Sequence, residues 1–269
     1  MIRSILLALD DTPGAVAARD LAFALARRTG ASLTALHVLG RREVEGAREA
    51  IPIGGAALAD RRKARRAAAL EAEAAAVLAA ASTAADGLAF ELIRRDEAPE
   101  PALLAECAGH DLIVIGRDST LGHELAEDGL SPTIEALLRD GARPLLVVPP
   151  GEVPAGPVLV GYSGTPASMR ALQIFALLGL TVDVPVKVLD FSGGATASPL
   201  GYLARHGFVA EGRRLEDDAD EILLAEALSL SARLLVVGAE LEGGVARLLF
   251  GDATTELLRD APCPVLIHA

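Results

Sequence analysis

Two adjacent carboxylates, Asp10 and Asp11, follow a short apolar run near the start of the chain and precede Thr12. A carboxylate in this place could accept a phosphoryl group, but the Asp-x-Asp-x-(Thr/Val) pattern of aspartyl-phosphate enzymes is absent. A receiver-type site needs a lysine after the fifth strand, and the only lysines are Lys63 and Lys187. We therefore expect Asp11 or Thr12 to cap the helix that follows.

The sequence contains no recognisable pair of nucleophile and base. The histidines form no His-Glu-x-x-His arrangement, and no serine stands in a Gly-x-Ser-x-Gly turn. An enzyme that acts on a non-nucleotide small molecule is therefore the least favoured class of function.

The composition, with 269 residues of which 51% are hydrophobic and 23% charged, is that of a globular protein. The formal net charge of -12 repels phosphate backbones and anionic lipid, which disfavours nucleic-acid and membrane-surface partners. Cys107 and Cys263 form no Cys-x-x-Cys pair, so neither a disulfide framework nor a metal site is expected. The N-terminal apolar run is too short for a signal peptide, and these features together predict a cytoplasmic protein.

Hydrophobic patterning divides the first half into alternating strands and helices. Strands are expected at residues 5–9, 33–39, 88–93, 112–115 and 144–148. Helices are expected from Pro13 to Thr29, at 56–81, at 97–108 and after Ser131-Pro132.

The same order begins again after a stiff linker, Pro149-Pro150-Gly151. Strands are expected at 158–160, 184–189, 208–210, 234–237 and 265–267, and helices at 165–178, 199–206, 218–229 and 252–259. Gly116 and Gly238 lie 122 positions apart, whereas the first-strand ends Asp10 and Gly161 lie 151 apart. The chain is thus predicted to be a duplication with domains at 1–150 and 155–269, the second 29 residues shorter before its fourth strand.

This order of elements predicts an α/β fold with two tandem Rossmann-like domains. Each domain should have a five-stranded parallel sheet flanked by helices on both faces. Ligands of such sheets bind at the carboxyl ends of the strands, near the switch in strand order. The positions to consider are therefore Asp10-Asp11, residues 36–40, and the loops after Gly116 and Gly238.

Several motifs occur in a fixed order, at residues 7–12, 112–117, 234–238, 247–251 and 261–267. On these residues each half resembles a universal stress protein domain, and the whole chain resembles the tandem members of that family. The resemblance covers nearly the full length, and it implies the adenine nucleotide alpha hydrolase-like variant of the Rossmann-like fold.

The resemblance implies a nucleotide loop in the first half. Family members that bind ATP carry Gly-x2-Gly-x9-Gly-(Ser/Thr) after the fourth strand, because glycines let backbone N–H groups approach phosphates. Gly116 occupies the first position, and Ser119 the second. Counting forward puts Gly129 in the third position, followed by Leu130. Counting back from Pro144 instead puts Ser131-Pro132 at the final Gly-(Ser/Thr) pair.

Further candidates for cofactor binding in the first half follow from the same resemblance. Asp10 keeps the aspartate that contacts the nucleoside, with Asp11 beside it, and Val38 lies where backbone groups hold adenine. The loop after Gly116 is acidic, and Asp118 and its neighbours oppose a triphosphate unless a divalent cation bridges them. The site is thus expected to be partial.

The corresponding site of the second half is expected to be degenerate. Gly238 and Gly251 keep the required spacing, but Asp252 follows in place of Ser or Thr, and a carboxylate there repels phosphate. Gly161 stands where the first half has its aspartate, and Leu189 matches Val38 to within one residue.

Residues 144–148 and 264–268, the fifth strands, are apolar sheet edges that need a partner. In family dimers these strands pair across a two-fold axis. Within one chain they would pair with each other and form an intramolecular pseudo-dimer, and a further homodimer stays open.

The resemblance therefore implies a non-enzymatic stress-response module whose nucleotide-binding site is degenerate. The alternative is an ATP-binding switch with weak ATPase activity in the first half. ATP is the only cofactor that the motifs suggest.

Overall fold

The computed structural model describes residues 1–39, 56–121, 130–141, 143–181, 183–193, 197–215, 219–239 and 252–268. Within these ranges the first half contributes strands β1 (Ser4–Ala8), β2 (Ser32–Val38), β3 (Glu91–Arg95), β4 (Leu112–Gly116) and β5 (Leu145–Val148). The second half contributes β6 (Val158–Tyr162), β7 (Val186–Asp190), β8 (Ala210–Arg214), β9 (Leu234–Gly238) and β10 (Val265–His268).

The described ranges also contain eight helices, which connect successive strands. They are α1 (Pro13–Thr29), α2 (Ala56–Ala84), α3 (Pro99–Cys107), α4 (Pro132–Asp140), α5 (Pro166–Leu178), α6 (Ala197–Arg205), α7 (Ala219–Ser229) and α8 (Asp252–Asp260). Of the two predicted caps of α1, Thr12 is the one whose side chain accepts a hydrogen bond from the helix, and Gly30 ends the helix in the left-handed conformation, with φ of 69°.

All ten strands form one sheet in the order β3-β2-β1-β4-β5-β10-β9-β6-β7-β8. Neighbouring strands are parallel within each half, and β5 and β10 pair antiparallel, with Leu146 opposite Leu266. The apolar edge of each half is therefore covered by the edge of the other half. This arrangement confirms the predicted α/β fold and the pseudo-dimer within one chain.

The core lies in two layers, one on each face of the sheet. Alternate residues of β1 show the division, since Ile5 and Leu7 belong to one layer and Leu6 and Ala8 to the other. Both layers continue across the two halves. Because the central strands are buried on both sides, their residues are apolar without alternation.

The two outermost strands begin later than predicted. The apolar residues that suggested them, Phe90 and Phe208, lie before β3 and β8 and pack on Phe23 and Phe175, with ring centroids 5.4 and 5.0 Å apart. The strands themselves are mostly exposed and charged. The apolar residues therefore mark core contacts just before the two edge strands and not the strands themselves. The charged side chains of these edge strands discourage pairing with other chains.

The register between strands corrects the alignment of the two halves. Ile5 lies opposite Leu112, and Val158 lies opposite Leu234, which makes Ile5 and Val158 equivalent. The counterpart of Asp10 is then Ser163 and not Gly161. The prediction aligned the ends of two apolar runs, but β6 continues through Tyr162, and the second half is 31 residues shorter, not 29.

Helix α2 is long and alanine-rich, and by length and composition alone its segment Leu58–Ala84 is apolar enough to cross a membrane. Its buried side chains include Ala74, Val77 and Ala81, and the last two belong to a core layer. Burial of these side chains accounts for one face of the helix. The absence of a membrane partner stays a prediction.

We expect the Cys263 thiol to resist alkylation in the native protein. Burial raises its pKa to about 12, with a hydrogen bond involving the Leu235 backbone acting in the opposite direction. The native thiol therefore stays protonated where an unfolded thiol begins to ionise, so stability falls as the pH rises from about 9 toward 12. Pulse labelling with iodoacetamide at pH 8, with and without urea, checks this, and equal rates in the two states would contradict it.

Candidate functional site

Asp10 lies just beyond the carboxyl end of β1 and is buried, with 6% of its surface exposed. Its Oδ1 accepts hydrogen bonds from the Thr12 N–H at 3.0 Å and the Thr12 hydroxyl at 2.8 Å. Its Oδ2 accepts hydrogen bonds from the Ser119 hydroxyl at 2.7 Å and the Leu121 N–H at 2.9 Å. Both carboxylate oxygens are thus engaged within the protein, and they fasten the loop after β4 to the start of α1.

The loop after β4 packs directly on the N-terminus of α1. A Cβ added to Gly116 would lie 2.3 Å from the Ala15 backbone nitrogen, so only glycine allows this close approach. Asp118 accepts a hydrogen bond from the Gly14 N–H at 2.9 Å. An internal carboxylate therefore occupies the helix N-terminus, where a bound anion would otherwise be stabilised.

Ser131 precedes α4, and its buried hydroxyl has no hydrogen-bond partner among the described residues. The side chain does not cap the helix, although its N–H donates to the Arg117 carbonyl at 2.9 Å. An unused hydroxyl at a helix N-terminus is a suitable donor for a phosphate oxygen. Gly129, a further predicted residue of this phosphate loop, lies outside the described residues.

A small cavity of about 50 Å³ lies at the carboxyl ends of β1 and β2. It brings together three predicted residues, Asp10, Asp11 and Val38, and adds His37, whose Nδ1 lies 2.8 Å from the Leu9 carbonyl. Cavities that hold drug-sized ligands measure about 300–1,000 Å³, so the space enclosed by the described residues is too small for a nucleotide.

Helix α2 covers this cavity. Leu70, Glu73, Ala74 and Val77 line it from one face of the helix. None of these residues was predicted to lie in the site, because nothing in the alanine-rich pattern of α2 indicates which strand end the helix crosses. The one signal in the sequence was the spacing of Leu70, Glu73 and Val77, which places these larger side chains on one face of the helix.

The second half repeats the packing but not the aspartate. A Cβ on Gly238 would lie 2.3 Å from the backbone of Ala167, as at Gly116. Ser163, the counterpart of Asp10, has its hydroxyl 2.9 Å from that of Thr165. The register also makes Phe191 and not Leu189 the counterpart of Val38, because β2 and β7 align two residues further along than predicted.

A buried carboxylate, Asp190, lies at the end of β7, where the first half has His37. Its Oδ1 accepts hydrogen bonds from the Ser192 N–H at 2.9 Å and the Ser192 hydroxyl at 2.6 Å. A carboxyl group thus replaces an imidazole at this end of the second half's strands. The predicted loop glycine Gly251 lies outside the described residues.

Arg117 connects the first-half loop to the second half. Its Nη1 donates to the Ala261 carbonyl at 3.1 Å, while its backbone binds Val148 and Ser131. Burial lowers the pKa of the guanidinium, and the carboxylates of Asp118 and Asp260 act in the opposite direction. The conformation of the loop after β4 is therefore tied to the pairing of the two halves.

Comparisons with known proteins agree with this architecture. Residues 1–149 and 200–268 match the model of the universal stress protein family. The universal stress protein Slr1230 of Synechocystis is 27% identical over 165 residues, which are 58% of this chain and 57% of the relative. The match thus spans little more than half of that curated relative.

Two solved structures share the fold over nearly the whole chain. A universal stress protein of Archaeoglobus fulgidus superposes with a TM-score of 0.70 at 15% identity, covering 98% of this chain and 95% of its own. A putative universal stress protein of Pseudomonas aeruginosa gives a TM-score of 0.59 at 19% identity, covering 99% and 93%. With the family model matching well over half of its residues, the chain belongs to the universal stress protein family.

Proposed function

We propose that this chain is a non-enzymatic stress-response module whose first-half cleft is closed by its own side chains. The Asp10 carboxylate carries the proposal, because all four of its hydrogen bonds come from the protein. A nucleoside that used Asp10 would have to displace Ser119 or Leu121 and leave a buried donor without a partner.

Charge at the cleft supports the same conclusion. Asp118 already binds the N-terminus of α1, and a phosphate placed there would meet its carboxylate at close range. The described cavity is also far smaller than a nucleoside. ATP binding by the first half would therefore require α2 and the loop after β4 to move together.

The second candidate is an ATP-binding switch with weak ATPase activity in the first half, and the unpartnered Ser131 hydroxyl favours it. In this alternative Asp10 and Val38 hold the nucleoside, and Gly116 and Ser131 contribute to the phosphate site. The second half could bind a nucleotide only through Gly238 and Gly251, because it has neither the aspartate nor the terminal Ser or Thr of the motif.

The remaining assignments complete the proposal. The domains are residues 1–150 and 155–269, each is the other's partner, and a homodimer of the chain is an open alternative. We place the protein in the cytoplasm, with neither nucleic acid nor membrane as a partner, since its net charge is -12.

Calorimetric titration with Mg-ATP separates the two candidates. We expect no saturable binding tighter than about 1 mM, because the nucleoside contact is already occupied. Phosphate release should stay at the level of buffer.

Ser131→Ala is the informative variant, and Ser229→Ala is its matched control, since Ser229 is exposed at the end of α7. Saturable binding tighter than about 1 mM that is weakened by Ser131→Ala and unchanged by Ser229→Ala would favour the switch and overturn our proposal.

A further inference from the structure

A second cavity, of about 170 Å³, lies between the two halves beside the pairing of β5 with β10. Leu21 and Leu25 of α1 line it from the first half, and Leu180 and Leu234 line it from the second. Its lining is therefore mostly apolar and shared by both halves. A cavity of about 150 Å³ lined by aliphatic side chains is large enough to bind benzene, so this one has room for a single ring.

Two guanidinium groups, those of Arg28 and Arg233, line this otherwise apolar cavity. Among the described residues, neither has a carboxylate within ion-pair distance of 4 Å. Arg28 donates to the Leu180 carbonyl, and Arg233 donates to the carbonyls of Gly156 and Ala155, both at 3.0 Å. Each guanidinium carries five N–H donors, so donors remain for a ligand.

The polar lining continues with Thr181, whose Oγ1 is buried and lacks a hydrogen-bond partner among the described residues. A buried hydroxyl without a partner loses its hydration without compensation. Here the hydroxyl lines the same cavity as the two guanidinium groups, and a bound acceptor would satisfy it.

Burial and two neighbouring charges act on the Arg28 guanidinium. Burial lowers the pKa of its guanidinium, the Asp183 carboxylate acts in the opposite direction, and the positive charge of Arg233 lowers it again. An anion bound to both arginines would relieve their mutual repulsion in a partly desolvated place. The Asp183 carboxylate, whose effect on Arg28 exceeds that of Arg233, is not among the residues that line the cavity.

We propose that this cavity between the halves binds a small organic carboxylate with a compact apolar body, about the size of one aromatic ring. The carboxylate accepts hydrogen bonds from Arg28 and Arg233, with Thr181 as a further donor, and the ring packs on the leucines. Because residues of both halves bind it, the ligand would stabilise their association. This assignment is independent of the nucleotide cleft.

Benzoate is the probe, and benzamide is its uncharged counterpart of nearly the same shape. Titration calorimetry of the full chain should show benzoate binding that is at least about tenfold tighter than benzamide binding. Arg28→Gln should weaken benzoate about tenfold, and Thr181→Val should weaken it about threefold without loss of charge.

Arg27→Gln is the matched control, since Arg27 precedes Arg28 on α1 but donates to the carbonyls of Ala84 and Ala85, away from the cavity. Thermal melting establishes that each variant is folded. Equal binding of benzoate and benzamide, equal weakening by Arg27→Gln and Arg28→Gln, or no benzoate binding by the folded wild type at about 10 mM would each overturn the proposal.

Discussion

Replacing Asp10 with alanine should lower the free energy of unfolding by about 3–5 kcal/mol, although no ligand is present. The substitution removes the acceptor of four hydrogen bonds at a position that is 6% exposed. Ser119, which is fully buried, and the Leu121 N–H would then lack their partner. The loop after β4 would also lose its attachment to the start of α1.

Urea denaturation followed by circular dichroism measures this loss. Asp11→Ala is the matched control, since Asp11 is the adjacent carboxylate but is exposed, and it should change stability by less than about 0.5 kcal/mol. If Asp10→Ala and Asp11→Ala unfold at the same urea concentration, the four hydrogen bonds to Asp10 contribute little to the free energy of unfolding.

The effect on stability changes how a nucleotide experiment must be read. A variant at Asp10 that fails to bind ATP would be ambiguous, because the same substitution releases Ser119 and Leu121 from their places. Ser131→Ala avoids the difficulty, since its hydroxyl has no partner to lose among the described residues. Position 131 therefore tests binding, and position 10 tests architecture.

The arrangement of strands could be predicted because it depends on contiguous sequence. Continuous apolar runs indicate strands buried on both faces, and the apolar fifth strands indicated edges that need a partner. The family resemblance then implied the pairing of β5 with β10 that the structure shows. The convergence of Asp10 and Val38 at one cavity follows from parallel strands ending at one edge of the sheet.

The contacts that close the cleft could not be predicted, because they join distant parts of the chain through loop geometry. The bond from Ser119 to Asp10 spans 109 positions, and that from Gly14 to Asp118 spans 104. From the sequence, Ser119 was a substituted phosphate-loop residue and Asp118 an opposing charge. The structure shows both as internal hydrogen-bonding partners, and no local pattern distinguishes the two roles.

Gly116→Ala and Gly238→Ala should each destabilise the chain by about 3 kcal/mol or more. In both cases the new Cβ would lie 2.3 Å from the backbone of the first turn of a helix, at Ala15 for one and at Ala167 for the other. A backbone cannot rotate away as a side chain can, so α1 or α5 would have to shift from the sheet. If these glycines served only to let the backbone approach phosphates, replacing them would not lower the stability of the protein without nucleotide.

Gly201→Ala is the control, and its expected effect on the free energy of unfolding has the opposite sign. Gly201 lies inside α6, and an added Cβ there meets nothing within 4 Å. This substitution should raise the free energy of unfolding by about 0.5–1 kcal/mol through helix propensity and reduced freedom of the unfolded chain. Denaturant melts of the three variants side by side measure the contrast. Wild-type stability for Gly116→Ala and Gly238→Ala would show that the helices do not need these glycines, and the phosphate-loop interpretation would then be the better one.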